Sequence, residues 1–201
     1  MTTRIIKNIL WDYGGVFTQG SRFQILLSLV DDTQRKCLTA LKDQGFFKNA
    51  ASGDIALEQM LNKIHAQCCI APNDFLRIAA HVSQPLSSMC QLVQSVYKEV
   101  HQYVISDNIP AYTETVKHSL GNLTERIFLS DEFRTRKSQA LFQTLAWSYP
   151  EIFDDALYID DNINNIVTIK GFFPRLFTHH FHDQKTLRHF LLEMGLLSTR
   201  L

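Results

Sequence analysis

In the stretch Ile9-Leu10-Trp11-Asp12-Tyr13-Gly14-Gly15-Val16, an apolar run breaks on an aspartate and then on two glycines. The run begins at Ile5 and has the length of a buried strand, and glycine lets a backbone turn away sharply from a strand end. Four further apolar runs share this form, at residues 101–105, 126–129, 156–159 and 175–177, each bounded by polar or glycine-containing turns. Helical spacing fills the gaps between the later runs, as in Leu141 and Leu145 after Ser138, and Ile166 and Ile169 after Asn162. Strands alternating with helices predict an α/β protein with a Rossmann-like, doubly wound parallel sheet.

The first two runs are separated by about ninety residues, far more than one crossover helix needs. Within that gap Phe23, Leu26, Leu27 and Val30, then Leu57, Met60, Leu61 and Ile64, then Met89, Leu92, Val93 and Val96 repeat at three and four. The spacing predicts an inserted helical cap, with Gly20 at one linker and residues 83–88, including Pro85, at the other. The expected division is a core of residues 1–18 and 95–201 and a cap of residues 19–94. The segment from about Ser21 to Ser88 is expected to act as a lid that excludes water and sets substrate choice.

Composition narrows the function classes. Lys plus Arg and Asp plus Glu number 20 each, so no global field favours nucleic acid or a strongly basic partner. No apolar stretch approaches the roughly 18 residues that spanning a bilayer requires, and Met1 runs straight into Ile5 without a leader pattern, so the expected setting is cytoplasmic. Cys37, Cys68, Cys69 and Cys90 form neither a CxxC pair nor a secreted framework, so reduced, mostly buried thiols are expected. The ending Thr199-Arg200-Leu201 carries no targeting weight.

In open parallel sheets ligands bind beyond the carboxyl ends of the strands. Here those ends carry Asp12, then Ser106-Asp107-Asn108, then a loop leading to Lys137, then Asp160-Asp161-Asn162. Three carboxylates brought together repel one another unless a cation sits among them, and hard oxygen ligands favour Mg²⁺. A lysine and a serine hydroxyl beside backbone N–H groups suit a phosphate. Taken singly the residues also have bland readings: Ser106 as a helix cap, Lys137 with Arg134 and Arg136 as a solvated basic face, Asp160 and Asp161 as caps. His179, His180 and His182 read as surface histidines beyond the last strand.

Taken together, residues 9–16, 104–108, Lys137 within 134–138, and 158–165 resemble, in order and spacing, the four motifs of the haloacid-dehalogenase-like hydrolases. The first motif resembles the branch with Asp-x-Gly-Gly/Asn-Val, which includes bacterial glucose-1-phosphate phosphatases and relates to the phosphatase domain of epoxide hydrolases. The resemblance implies a Mg²⁺-dependent phosphatase of a small phosphorylated metabolite, such as a sugar 1-phosphate, working through an aspartyl-phosphate. It implies Asp12 as nucleophile, Lys137 as its catalytic and phosphate-binding partner, and Ser106 with the N–H of Asp107 as substrate-binding groups. It assigns the metal to Asp12, the Gly14 carbonyl, Asp161 and Asp160, the last as ligand or as support, with Asn165 orienting the acidic loop. Asp107 and Ser138 stand where the family typically has Asn and Pro. Gly14 stands where most of its phosphatases carry the aspartate that protonates the leaving oxygen.

Two other functions fit the same residues. A 2-haloacid dehalogenase would use the aspartate and lysine without a metal, though such enzymes have Tyr where this chain has Gly14. A catalytically weak member would bind a phosphorylated ligand or a protein partner. Substrate identity and oligomeric state are not encoded in the periodicity.

Overall fold

The computed structural model describes residues 5–137 and 139–197, apart from the side chain of Gln139; Ser138 and the Thr199-Arg200-Leu201 ending lie outside them. Five strands form one parallel sheet: β1 (Asn8–Trp11), β2 (His101–Ser106), β3 (Arg126–Leu129), β4 (Ala156–Asp160) and β5 (Phe177–His180), in the order β3-β2-β1-β4-β5. β1 is central, paired to β2 from Asn8↔His101 to Trp11↔Val104 and to β4 from Asn8↔Ala156 to Trp11↔Ile159. A strand covered on both faces has no solvated side, which is why its residues read as an unbroken apolar run.

Side chains alternate through the sheet. Ile9 and Trp11 join one apolar cluster with Val116 and Leu120 of α7 (Pro110–Leu120) and Leu187 and Leu191 of α10 (Gln184–Glu193). Leu10 joins another with Leu141 and Leu145 of α8 (Gln139–Ser148) and Ile166 and Ile169 of α9 (Ile163–Phe172). Helices on both faces make the sheet doubly wound, as expected.

Two strands differ from the sequence expectation by more than a single residue. β1 begins at Asn8, whose buried amide donates to the carbonyls of Glu151 and Asp154 at 3.0 and 2.8 Å, while Ile5 is 73% exposed. β5 runs from Phe177 rather than ending there, so His179 and His180 sit in the strand instead of beyond it. As an edge strand half-buried along its length, β5 needs no continuous apolar run. His179 stacks on Phe190 at 4.3 Å, and the His180 ring meets the Asp161 carbonyl at 2.9 Å.

Between β1 and β2 lie six helices: α1 (Arg22–Ser28), α2 (Asp32–Asp43), α3 (Phe46–Ala51), α4 (Leu57–Cys68), α5 (Pro72–Val82) and α6 (Ser87–Gln94). The periodicity located α1, α4 and α6. α2 escaped it because Leu38 and Leu41 are its only buried residues, and its start is written in capping chemistry instead: Asp31 accepts from the Gln34 N–H at 2.8 Å. The buried apolar residues of α1 to α5 form one continuous core with the α7 face of the sheet.

Three contacts fix this helical segment over the carboxyl ends of the strands: the Tyr13 hydroxyl donates to the Ser83 carbonyl, Ser130 donates to the Ala51 carbonyl at 2.7 Å, and the Leu86 N–H donates to Phe17 at 2.8 Å. No helix among the described residues is long and apolar enough to cross a membrane.

The thiols depart from expectation. Cys37 of α2 and Cys68 of α4 form a disulfide, because packing of the two helices brings their Cα atoms to 5.4 Å. Their separation of 31 residues carries no motif that would announce the pairing. Cys69 and Cys90 are free. Thiol titration of the unfolded, unreduced protein should therefore find two free thiols, and reduction should lower unfolding stability by about 3 to 4 kcal/mol in a denaturant titration.

Candidate functional site

Asp12 leaves β1 at the carboxyl edge of the sheet, pinned where its N–H donates to the Ile159 carbonyl at 2.8 Å, with its side chain buried. The chain then turns through Gly14 and Gly15, and the Gly15 N–H donates to the Thr18 hydroxyl at 3.0 Å. Gly15 has φ +82°, and a β-carbon there would meet an Asp161 carboxylate oxygen at 2.0 Å. No other residue type fits, so the second glycine lets the first and fourth loops close on each other.

At the end of β4, Asp160 is fully buried and Asp161 is exposed. One ligand atom from each of Asp12, Asp160 and Asp161 can be chosen so that all three lie within 4.8 Å of one another. Lys137, buried at the end of the third loop, donates from Nζ to Asp12 Oδ1 at 2.5 Å and to Asp160 Oδ2 at 2.7 Å. Asp160 also accepts from the Tyr158 hydroxyl, from the Asn162 N–H at 2.7 Å, and from Asn165 Nδ2 at 3.2 and 3.0 Å. A carboxylate has about four lone-pair sites. Those of Asp160 are committed to protein donors, whereas Asp12 and Asp161 face the cavity.

Burial, reinforced by the Asp160 and Asp161 charges and opposed by Lys137, pushes the Asp12 carboxyl from 3.8 up to about 7. Asp161, exposed as a residue but with its carboxyl partly enclosed by the rim, is raised by that enclosure and by the Asp160 charge. Burial alone would depress the Lys137 ammonium, but Asp12 and Asp160 outweigh it and hold it above the ordinary lysine value. The carboxylates thus carry more negative charge than one lysine relieves, and a hard divalent cation fits this donor set.

The other expected residues are distributed around this centre. Ser106 is buried at the end of β2, its hydroxyl donating to the Asp107 carbonyl at 3.1 Å. The Asp107 side chain is spent on the protein: it accepts from the Lys137 N–H and pairs with Arg136 at 2.6 Å, latching the second loop to the third. Gly14 is open on its side-chain face, since a β-carbon would meet only Arg22 nitrogens at 3.8 Å.

Three groups at the rim have no role assigned by the sequence: Tyr158 and Asn108, which lie within the quoted motifs, and Arg22. Asn108 accepts from Arg22 at 3.0 Å and donates to Thr113 and Asp131 at 2.9 and 3.2 Å.

Two cavities adjoin at the rim. One, about 410 Å³, is bordered by Asp12, Lys137, Asp161 and Asn165; the other, about 340 Å³, by Arg22, Phe23, Phe47 and Tyr112. Gly14, Asp107, Arg136 and Asp161 border both. A larger cleft of about 650 Å³ opens at the amino ends of the strands beside Lys7, Phe153 and Phe173. Among the described residues, however, only the carboxyl edge gathers acids able to hold a metal.

A parallel five-stranded sheet in the order β3-β2-β1-β4-β5 with a helical insertion after β1 is the haloacid-dehalogenase-like fold, and solved structures of that fold superpose on the chain. A haloacid-dehalogenase-family enzyme of Bacteroides thetaiotaomicron, solved with magnesium, matches with TM-score 0.76 at 16% identity over 90% of this chain and 98% of that one. A predicted haloacid-dehalogenase-like family hydrolase of Porphyromonas gingivalis matches with TM-score 0.72 at 13% identity, over 94% and 98%. The L-2-haloacid dehalogenase of Xanthobacter autotrophicus matches with TM-score 0.59 at 11% identity, over 96% and 85%. No protein-family model matches the sequence, and no curated protein matches it.

The raised Asp12 carboxyl sets a pH dependence. A carboxyl near 7 in the folded chain and 3.8 unfolded binds its proton more tightly when folded, so without metal its contribution to stability falls as pH rises from about 4 to 7. A cation competes with that proton. Mg²⁺ should raise the melting temperature, a hundredfold excess over Kd adding about 2.7 kcal/mol of stability, and at a fixed Mg²⁺ concentration the rise should grow from pH 5 to pH 8. A shift independent of pH in thermal melts would contradict this assignment.

Proposed function

We propose that the chain is a Mg²⁺-dependent phosphatase of a small phosphorylated metabolite, acting through an aspartyl-phosphate on Asp12. The observation that carries this reading is the buried Lys137 bridge between Asp12 and Asp160, with Asp161 beside it. The Bacteroides thetaiotaomicron enzyme, of the same fold, has been solved with magnesium and inorganic phosphate.

In this reading Asp12, Asp161 and the Gly14 carbonyl hold the ion, which neutralises carboxylate and phosphate charge when bound. Asp160, its oxygens already taken, positions Lys137 rather than ligating. An Asp12 carboxylate oxygen attacks phosphorus in line as the bond to the ester oxygen breaks, and the Lys137 ammonium offsets the charge on the transferring group. Water then hydrolyses the acyl phosphate, releasing orthophosphate and restoring Asp12. The segment 19–94 acts as the cap, contributing Phe23 and Phe47 to the second cavity. The L-2-haloacid dehalogenase shares the fold, but a three-carboxylate cluster suits a cation better than a metal-free dehalogenase site.

Gly14 supplies no proton to the departing oxygen, so esters with stabilised leaving groups, sugar 1-phosphates and acyl phosphates among them, are the favoured class. Asp12→Asn and chelation should each lower turnover of 4-nitrophenyl phosphate by at least about a thousandfold. Metal-independent turnover would sink the reading. Across aryl phosphates of graded leaving-group pKa, kcat/KM should fall as that pKa rises; a flat profile in single-turnover kinetics would reveal a proton donor.

A further inference from the structure

Arg22 is only 8% exposed, yet no carboxylate lies within ion-pair distance of it among the described residues. Its acceptors are neutral: Nη2 donates to the Asp107 carbonyl at 2.7 Å and Nη1 to the Asn108 side-chain oxygen at 3.0 Å. Its guanidinium lies over the rings of Tyr112 and Tyr13, with centroids at 4.6 and 5.3 Å. A buried charge with only neutral acceptors is costly unless an anion joins it.

The orientation indicates where that anion sits. Nε and Nη2 are each 3.8 Å from the position of a β-carbon on Gly14, so this edge of the guanidinium faces the space that the glycine leaves open. The Nε/Nη2 edge is the fork that binds carboxylate or phosphate through two parallel hydrogen bonds. Arg22 borders the cavity with Phe23, Phe47 and Tyr112 but not the one with Asp12 and Lys137. The neighbouring cations are committed, Lys137 to Asp12 and Asp160, and Arg136 to Asp107. A guanidinium stays charged throughout the accessible pH range, so it does not stand in for the missing proton donor.

We infer that Arg22 binds a second oxyanion, a carboxylate or phosphate, on the organic part of the substrate, so that the preferred ester is doubly acidic. The inference rests on the phosphatase reading and narrows it: the scissile phosphate lies over Asp12, the second acid lies against Arg22, and Phe23 and Phe47 contact the body between them. Asn108, held by Thr113 and Asp131, is the positioning residue that aims the fork.

The test is titration calorimetry of the full chain with Mg²⁺, using orthophosphate, phenylphosphonate, its 2-, 3- and 4-carboxy derivatives, and benzene-1,3-bisphosphonate. At least one carboxy or bisphosphonate probe should bind about tenfold or more tightly than phenylphosphonate, and which one does distinguishes a carboxylate from a second phosphate. Arg22→Gln should erase that advantage while leaving orthophosphate and phenylphosphonate within about threefold, and Arg22→Lys should keep part of it. Gly14→Asp, which sets a carboxylate beside Arg22, should erase the advantage too. Equal affinity of all the probes for the natural protein would overturn the inference, as would an Arg22→Gln loss equally large for orthophosphate. Should Arg22→Gln fail to fold, the comparison of probes on the natural protein decides alone. Orthophosphate binding with no second-anion advantage sinks this inference only; absence of any binding sinks the phosphatase reading with it.

Discussion

The Lys137 ammonium, buried between the carboxylates of Asp12 and Asp160, is the interaction on which the rest of the rim depends. It joins residues 125 and 23 positions apart in the chain, so it exists only after β1, β4 and the third loop have assembled. Two acids at the ends of adjacent central strands would otherwise repel each other at low dielectric, and removing one partner of such a buried pair typically costs about 3 to 5 kcal/mol. Asp160 spends its oxygens on the lysine and on Tyr158, Asn162 and Asn165. Asp12 keeps the cavity-facing role.

Glycine and arginine divide the remaining work at the mouth of the site. Gly15 allows the Asp161 carboxylate to approach backbone that any β-carbon would block, while Gly14 leaves open the face toward Arg22. The Asp107 carboxylate, an acid beside three others at this rim, is paired with Arg136 and accepts from the Lys137 N–H. A lone carboxylate thereby becomes a latch between two loops. The same loop offers Arg22 its carbonyl and amide acceptors, so the first helix of the insertion is tied to the second strand end.

The insertion is held over the sheet by its core as well as by these polar ties. Leu38, Met60, Ile64 and Phe75 belong to the same continuous cluster as Ile9 and Trp11. The Cys37–Cys68 bond braces α2 against α4 within that layer. Packing at native density transmits position, which is how helices remote from Asp12 keep Phe23 and Phe47 at the second cavity.

By itself the sequence determined the alternation of strands and helices, the long insertion after the first strand, and the order in which Asp12, Ser106, Lys137 and Asp160-Asp161 reach one edge. Those features are local: period, turn residues and chain order are written into neighbouring positions. Tertiary structure alone decided which acid is already filled by donors, that Asp107 turns to Arg136, and that Cys37 meets Cys68. It also decided that the polar segment ending in His179-His180 is an edge strand, because pairing with β4 supplies what apolar periodicity does not. Arg22 is the clearest case. In the sequence it is one of 20 basic residues, and only the packing of α1 beneath the second loop, between two tyrosine rings and beside an absent side chain, makes it a buried cation facing a cavity.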